Sequence, residues 1–432
     1  MGSVTVGLDI GTTSVKALAV TDDGEVAAAT RCPHELLLGP GQLAHDADAA
    51  WRHGVLDALT EVGRGLDVQA VAVAAMVPSL TAVDAAGRPT TLGLLYGDSR
   101  GGSGIGSPAE SGEAAGFHRW LAAEQPDARG FWPAQAVANH ALCSRAAVDY
   151  ATAFCLSPLF DGTGWVTSPD RFPEVIADVC EPVGRIGDVG PAVGAGTIDA
   201  LAAQYVAGAD EPGDVLVLLG ATLIVWLVTD DWVERPGLWT VPHTAPGRSL
   251  VGGASNAGGL FVDWASRVTP PGDGEPDPAD VPVWLPYARG ERTPLHDPSR
   301  RASLHELHLG HGPAALERAT YEASGFVARH LLDLADRPAR RIVAVGGGTR
   351  RPGWVQALAD CTGLPVDVAA VPDATALGMA FLARCAAGLE SSPADAARWA
   401  STSHQVEPDA RWVEPCRDRY QRFLSLTAGD AS

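Results

Sequence analysis

The sequence predicts a two-domain α/β protein whose duplicated halves face an interdomain cleft. Three observations carry this expectation. The chain has 432 residues, too many for one hydrophobic core and enough for two domains of about 200 each. Stretches of β periodicity alternate with stretches of helical periodicity along its length. A strand, Gly-x-Thr, strand hairpin turning at Gly11 returns about half the chain later at Gly220.

In chain order, Val4 and Val6 open a strand, Val15–Val20 form its partner, and Asp22-Asp23-Gly24 supply the next turn. Ala47–Val62 has helical spacing, with Trp51, Val55, Leu56, Leu59 and Val62 on one side. Val68–Ala75 reads as a buried strand that runs on into a loop as far as Asp84. Gly101–Gly116 is rich in Gly, Ser and Pro and is expected to be a loop. Helices are expected at Phe117–Ala123, Ala134–Ala147 and Asp170–Val179, the last tolerating Pro173 only in its first turn. Val193–Asp199 ends a strand at a carboxylate, and Ala200–Ala207 is helical, which puts Asp199 at or near an N-cap. Gly208–Gly213 is the expected boundary, giving domains 1–207 and 208–432.

The second half opens on the repeated hairpin, Leu216–Asp231, and Val251–Gly259 then lead into a helix through Trp264. A Pro/Gly/Asp-rich loop at Thr269–Asp280 and a polar turn at Pro286–Pro294 follow. Ala314–Leu334 is a long amphipathic helix. Arg340–Val345 is a strand running into Gly346-Gly347-Gly348 and the helix Trp354–Asp360. Ala374–Ala387 is a further helix, and the tail holds one more.

Composition narrows the function. Fifty-two acidic against 31 basic residues give a net charge of −21, adverse to nucleic acid and to anionic membranes. Seven cysteines without a Cys-x-x-Cys pair fit reduced thiols better than disulfides or zinc. No signal peptide and no apolar run of about 18 residues is visible, so a cytoplasmic chain without membrane contact is expected.

The chemistry concentrates at Gly7–Lys16. Gly11 lets the backbone approach a bound group, and successive amides there form an anion nest. Thr12, Thr13 and Ser14 add hydroxyls, and Asp9 stands where a carboxylate holds a hydrated Mg²⁺. Lys16 is the only lysine in the chain, which sets it apart from ordinary surface charge. Taken by itself, the stretch is also readable as a polar edge hairpin, and Asp199 as a plain helix cap.

These stretches, in this order, resemble the FGGY carbohydrate kinases, of the actin-like ATPase (ribonuclease H-like) fold. Gly7–Lys16 is similar to the family's first phosphate loop and Gly220-Ala221-Thr222 to its second. Leu94–Arg100 resembles its Trp-x-Asp-x-Arg segment, and Gly196–Ala200 the segment bearing its catalytic aspartate. Ala257–Gly259, Pro286–Pro294 and Gly346–Gly348 resemble later motifs. The resemblance implies transfer of a phosphoryl group from ATP to a hydroxyl of a small sugar or polyol, a pentulose first. It implies Asp199 as general base, Asp9 and Asp199 near Mg²⁺, and Thr12, Thr13, Lys16, Gly220, Ala221 and Thr222 around the phosphates. Gly11, Gly259, Asp263, Gly347 and Gly348 would meet ATP, and Val77, Pro78, Tyr96 and Asp98 the sugar. Domain closure would exclude water.

The chain departs from the family pattern in several places. Met76-Val77-Pro78 replaces Gln-Met-His of xylulokinase-like members, Tyr96 a tryptophan and Ala221 a threonine. Pro352 falls at a polar ATP contact of some members, and 101–195 is short. Two other readings compete. One is a catalytically weak actin-like protein that binds sugar and ATP and regulates partners. The other is a dinucleotide oxidoreductase built on Arg340–Gly348 with Asp367 on the ribose. The oligomeric state stays open, a homodimer being compatible with the sequence.

Overall fold

The computed structural model describes residues 3–39, 41–101, 112–243, 247–269, 272, 274–371 and 373–429. The chain folds as two compact units, 1–206 with 373–400, and 207–372 with 401–432.

The sheet of the first unit contains β1 (Ser3–Ile10), β2 (Ser14–Val20), β3 (Val26–Pro33), β4 (Asp67–Ala75), β5 (Pro182–Arg185), β6 (Ala192–Gly194) and β7 (Thr197–Ile198). Its order is β5-β6-β4-β1-β2-β3, with β7 also beside β4. The first three strands form an antiparallel meander, while β4 joins β1 in parallel and β6 joins β4 in parallel. β1 and β4 are almost continuously apolar because helices cover the sheet. Val6, Leu8, Ile10, Val71 and Val73 are fully buried with Trp51 and Val55 of the helical stretch Asp48–Val62.

The other unit repeats the plan. Its strands are β8 (Asp214–Leu219), β9 (Leu223–Thr229), β10 (Trp239–Pro242), β11 (Ser249–Ser255), β12 (Arg341–Val345), β13 (Val366–Ala369) and β14 (Thr402–Val406). The order β10-β11-β9-β8-β12-β13-β14 again sets an antiparallel meander beside parallel strands, closed by an antiparallel edge. Helices Gly259–Val268, Pro313–Ala335, Pro352–Thr362 and Ala410–Gly429 bury Phe261, Phe326, Trp354 and Phe423 against it.

Four expectations are corrected. Asp170–Val179 is not a helix: Pro169–Arg171 is one tight turn, and Glu174–Ile176 pairs in parallel with Ala147–Asp149. Pro173 has no N–H to give a helix, and β-branched Val175 and Ile176 suit a strand. The segment to Asp84 is not merely a loop, since Ser79–Val83 is a fully buried strand between Leu92–Leu95 and Gly130–Trp132. Within Gly101–Gly116, residues 102–111 lie outside the described residues, and the helix Glu113–Glu124 starts before the expected loop ends. The expected domain 208–432 is also not continuous, because 373–400 packs with the first unit. Glycines permit that return. A Cβ on Gly7 of β1 would stand 1.8 Å from the Ala376 carbonyl oxygen, and one on Gly378 would stand 1.9 Å from that of Ala202. Gly7, read in sequence as part of the phosphate loop, therefore serves helix packing.

Candidate active site

In the first unit, β1 and β2 pair Asp9 with Lys16 across the sheet. Lys16 Nζ lies 3.5 Å from Asp9 Oδ2 and 3.2 Å from Asp373 Oδ1, so two carboxylates share one cation. Burial raises the Asp9 pKa, partly opposed by Lys16 and reinforced by Asp373. Burial also works against the Lys16 charge, yet Asp9 and Asp373 outweigh it and the ammonium is held above its ordinary value. Asp373 precedes the helix Ala374–Ala386 and was not singled out in the sequence. Its only signal is an Asp placed before an apolar helical run.

The turn between the strands closes with the Gly11 amide donating to the Ser14 carbonyl at 3.0 Å. Thr12 is fixed from two sides. The Tyr96 hydroxyl lies 3.0 Å from Thr12 Oγ1, and His45 Nε2 lies 2.8 Å from the Thr12 carbonyl oxygen. Trp51 donates its indole N–H to His45 Nδ1 at 3.0 Å, so the donor to Thr12 is the Nε2 hydrogen. Burial, then neighbouring His34, lowers the His45 pKa to about 4, which keeps this ring neutral at pH 7. Thr13 is exposed, and Arg31 bonds the Ser14 hydroxyl at 3.0 Å.

Asp199 is the first residue of the helix Asp199–Ala207, and Oδ1 accepts the Ala200 amide at 2.8 Å. The strand register places it. Asp9 of β1 and Thr197 of β7 both pair with Ala74 of β4, from opposite sides. Two strand spacings separate them, about 10 Å of backbone, with Asp199 two residues beyond Thr197. Both carboxylates thus leave the carboxyl ends of parallel strands at one level, where α/β sheets place ligands.

Asp199 has a support that sequence reasoning missed. Gln135 and Asn139, one helical turn apart, donate to the Ala195 carbonyl at 2.7 and 3.0 Å. Thr197 Oγ1 donates to Asp149 at 2.8 Å, and Asp149 also caps the helix Tyr150–Phe154. Burial raises the Asp149 pKa against these hydrogen bonds. Cys155 faces both Asp149 and Asp199; burial first, then these charges, push its thiol up to about 12.

The expected sugar-side residues lie on a five-stranded second sheet of the same unit. Val77 and Pro78 join β4 to Ser79–Val83, with Val77 half-buried and Pro78 buried. Tyr96 reaches the phosphate loop through Thr12, as above. Asp98 is buried, and its oxygens accept from the Leu43 amide at 2.8 Å and from Arg100 at 2.7 and 2.6 Å. That carboxylate is turned toward protein, and the group it orients is Arg100.

In the second unit the turn is tighter, the Gly220 amide donating to the Thr222 carbonyl at 3.1 Å. The Gly259 amide donates to the Gly220 carbonyl at 2.8 Å, and Leu260 to that of Ala221 at 3.0 Å. Gly258 and Gly259 are needed for this approach: Cβ atoms there would come within 2.2 Å of Thr222 and 2.7 Å of Gly220. Asp263, expected at ATP, instead holds Arg351 at 2.6 Å. Gly347 and Gly348 form the turn after β12; a Cβ on Gly347 would meet nothing, whereas Gly348 is packed against Trp354 and Leu219. Beside this turn opens a cleft of about 750 Å³ lined by Glu317, Tyr321, Arg350, Arg351, Gln356 and Trp412 among others. Pro352, which begins the helix Pro352–Thr362, also lines it.

Among the described residues one three-ligand cluster could hold a metal: Asp280, His308 and His311, in the second unit. Both Nε2 atoms lie within 3.0 Å of Asp280 Oδ1. Backbone amides of Gly310 and His308 donate to the two Nδ1 atoms, which puts the ring hydrogens on Nε2, facing Asp280. This is a closed hydrogen-bonded cluster rather than a ligand set. No described helix is long and apolar enough to cross a membrane.

Together the fold and these residues define a two-domain protein of the actin-like ATPase fold. Residues 216–387 match the model of the FGGY family of carbohydrate kinases, C-terminal domain. Along 98% of its length the chain is 26% identical to the xylulose kinase of Escherichia coli K12, covering 100% of it. It is 27% identical to the xylulose kinase of Streptomyces coelicolor over 99% of this chain and 97% of that one. Superposition on a xyloylose kinase from Brucella ovis gives a TM-score of 0.80 at 21% identity, covering 99% of both chains. These likenesses support an FGGY carbohydrate kinase of the xylulokinase-like kind, a phosphotransferase of the sugar-kinase type.

Proposed function

We propose that this chain moves the γ-phosphoryl group of ATP to a hydroxyl of a small sugar or polyol, with a pentulose as the first candidate. The observation that carries this is the common level of Asp9 and Asp199 at the carboxyl ends of the two parallel strands that flank β4. Asp199 acts as general base on the acceptor hydroxyl, and the Asp149, Gln135 and Asn139 hydrogen bonds keep its strand end in place. Phosphoryl transfer asks chiefly for charge neutralisation and in-line positioning, which suits this set of residues.

In the first unit the Gly11–Ser14 turn and Lys16 are suited to phosphate oxygens, and in the second unit, taken by itself, so is the turn Gly220-Ala221-Thr222. The cleft beside Gly347 has a volume suited to adenosine. Mg²⁺ fits the donor set: Asp9 and Asp199 offer hard carboxylate oxygens, and Asp9 and Asp373 together exceed the one charge of Lys16. Bound there, the ion neutralises phosphate charge. Val77 and Pro78 offer backbone and apolar surface to the sugar in place of a polar side chain.

The test is an ADP-release screen across pentuloses, other ketoses, hexoses and polyols, with and without Mg²⁺. Turnover of at least one of these, abolished in Asp199→Asn, is expected. ATP binding with no ADP release for any acceptor would overturn the kinase reading in favour of a regulatory binder.

A further inference from the structure

Glu291 is buried and stands in the turn 286–294. Both of its oxygens accept from donors. Ser255 Oγ donates to Oε2 at 2.7 Å, and the amides of Asn256 and Arg292 donate to Oε1 at 2.9 and 2.6 Å. Ser255 Oγ in turn accepts the Ala257 amide at 3.0 Å, and Asn256 Nδ2 donates back to the Gly290 carbonyl at 3.1 Å. The turn is fastened to β11 a second time, Thr293 donating its amide to the Ala254 carbonyl at 3.2 Å. Two residues beyond Ala257, Gly259 and Leu260 donate their amides to Gly220 and Ala221. Within the second unit, hydrogen bonds joined by the short backbone segment Ala257–Gly259 therefore connect the Glu291 carboxylate to the second hairpin turn.

We propose that Glu291 is a positioning residue for that turn, its carboxylate fixing the Ser255–Gly259 segment on which Gly220–Thr222 rests. The inference deepens the proposed function and rests on Gly220–Thr222 meeting the nucleotide phosphates. The ionised form accepts from all three donors at once, whereas a proton on Oε2 would reverse the contact and make Ser255 Oγ the acceptor. Burial pushes this carboxyl up to about 7 despite its hydrogen bonds and the Arg292 charge. The charged group acting on it is Arg292 of its own loop, while the β11 side contributes the neutral Ser255 hydroxyl and Asn256 amide. A fall in pH through 7 thus protonates the carboxyl and turns its Ser255 hydrogen bond round, shifting the segment while the fold as a whole gains stability.

The experiment uses the full chain, ATP and the best acceptor of the screen, comparing wild type with Glu291→Gln, Ser255→Ala and Thr222→Ala. At pH 8, Glu291→Gln and Ser255→Ala are expected to raise the ATP KM about tenfold, the scale of one hydrogen bond to a charged group. The acceptor KM should change less than twofold. The wild-type ATP KM should rise between pH 8 and 6, and that of Glu291→Gln should stay flat. Should Glu291→Gln not fold, Ser255→Ala carries the test alone, since it removes one link and leaves the carboxylate its two amides. Unchanged ATP KM in the folded variants overturns the inference. Thr222→Ala separates the two readings: if it too leaves the ATP KM unchanged, the nucleotide assignment has failed, and if it alone raises it, only the role of Glu291 has.

Discussion

The two hairpins share a topology and differ in chemistry. In the first, Ile10 pairs with Val15 and the next pair inward is Asp9 with Lys16. In the second, Leu219 pairs with Leu223 and the next pair is Leu218 with Ile224, on a connection one residue shorter. Where one copy sets a carboxylate opposite an ammonium, the other sets two aliphatic chains. The first turn is held by side chains, Tyr96 and His45 on Thr12, whereas the second is held by backbone amides of a helix start. Duplication preserved the strand order and left each copy free to specialise. The first unit carries charge and the candidate base, and the second offers backbone and an open cleft.

The sharpest way to break that asymmetry is to remove the base. Asp199→Asn keeps the shape of the side chain and its bond to the Ala200 amide. A drop in kcat of roughly 10³-fold is expected, the range of general base catalysis, with the melting temperature nearly unchanged. Single-turnover kinetics would check it. A loss below tenfold would move the chemistry away from this strand end.

The buried carboxylates give the second comparison. Asp9 has a lysine, and Glu291 has neutral donors and only its own neighbour Arg292 as a cation. For Glu291 the folded pKa of about 7 exceeds the unfolded value of 4.5, so the folded state keeps a proton that the unfolded chain has released. Its contribution to stability is then full below pH 4.5 and is lost as pH rises through 7, by on the order of 3 kcal/mol. Urea unfolding of wild type and Glu291→Gln should diverge across that window, the variant gaining relative stability at pH 8. Parallel pH profiles would show that burial does not burden this carboxylate. The same substitution is expected to weaken ATP use, so stability and function pull in opposite directions here.

Much of this was legible in the sequence, for physical reasons that also mark where reading stopped. The hairpins announce themselves through period-2 apolar runs broken by Gly-x-Thr, and the lone lysine set Lys16 apart. Local pattern does not say which buried groups meet. Asp149, Gln135 and Asn139 support the Asp199 strand end from 48 to 60 residues away, and they look in sequence like ordinary cap and helix residues. Asp373 joins Lys16 only because the chain returns to the first unit, through glycine contacts that composition does not reveal. The helix expected at Asp170–Val179 failed because Pro173 and two β-branched residues outweigh a weak helical spacing. Asp98 and Asp263 were read as ligands from the resemblance, and the arginine each one meets could not be read from local sequence.

The last two substitutions belong together, since they strike equivalent pairs. Lys16→Met keeps the length of the stem and removes the charge between buried Asp9 and half-buried Asp373, leaving two carboxylates to repel. A fall in kcat/KM for ATP of about 30-fold, near 2 kcal/mol, is expected with the fold retained. Ile224→Val at the counterpart position deletes one methylene from a buried strand residue. It should lower unfolding free energy by about 1 kcal/mol and leave kcat/KM within twofold, because that pair only packs. Thermal melts beside steady-state kinetics would read both. If Ile224→Val impaired turnover as Lys16→Met does, the two hairpins would be chemically equivalent and the division of labour argued above would fall. If Lys16→Met altered only the melting temperature, the charged pair would be structural, and phosphate contact at the first turn would rest on its amides and hydroxyls.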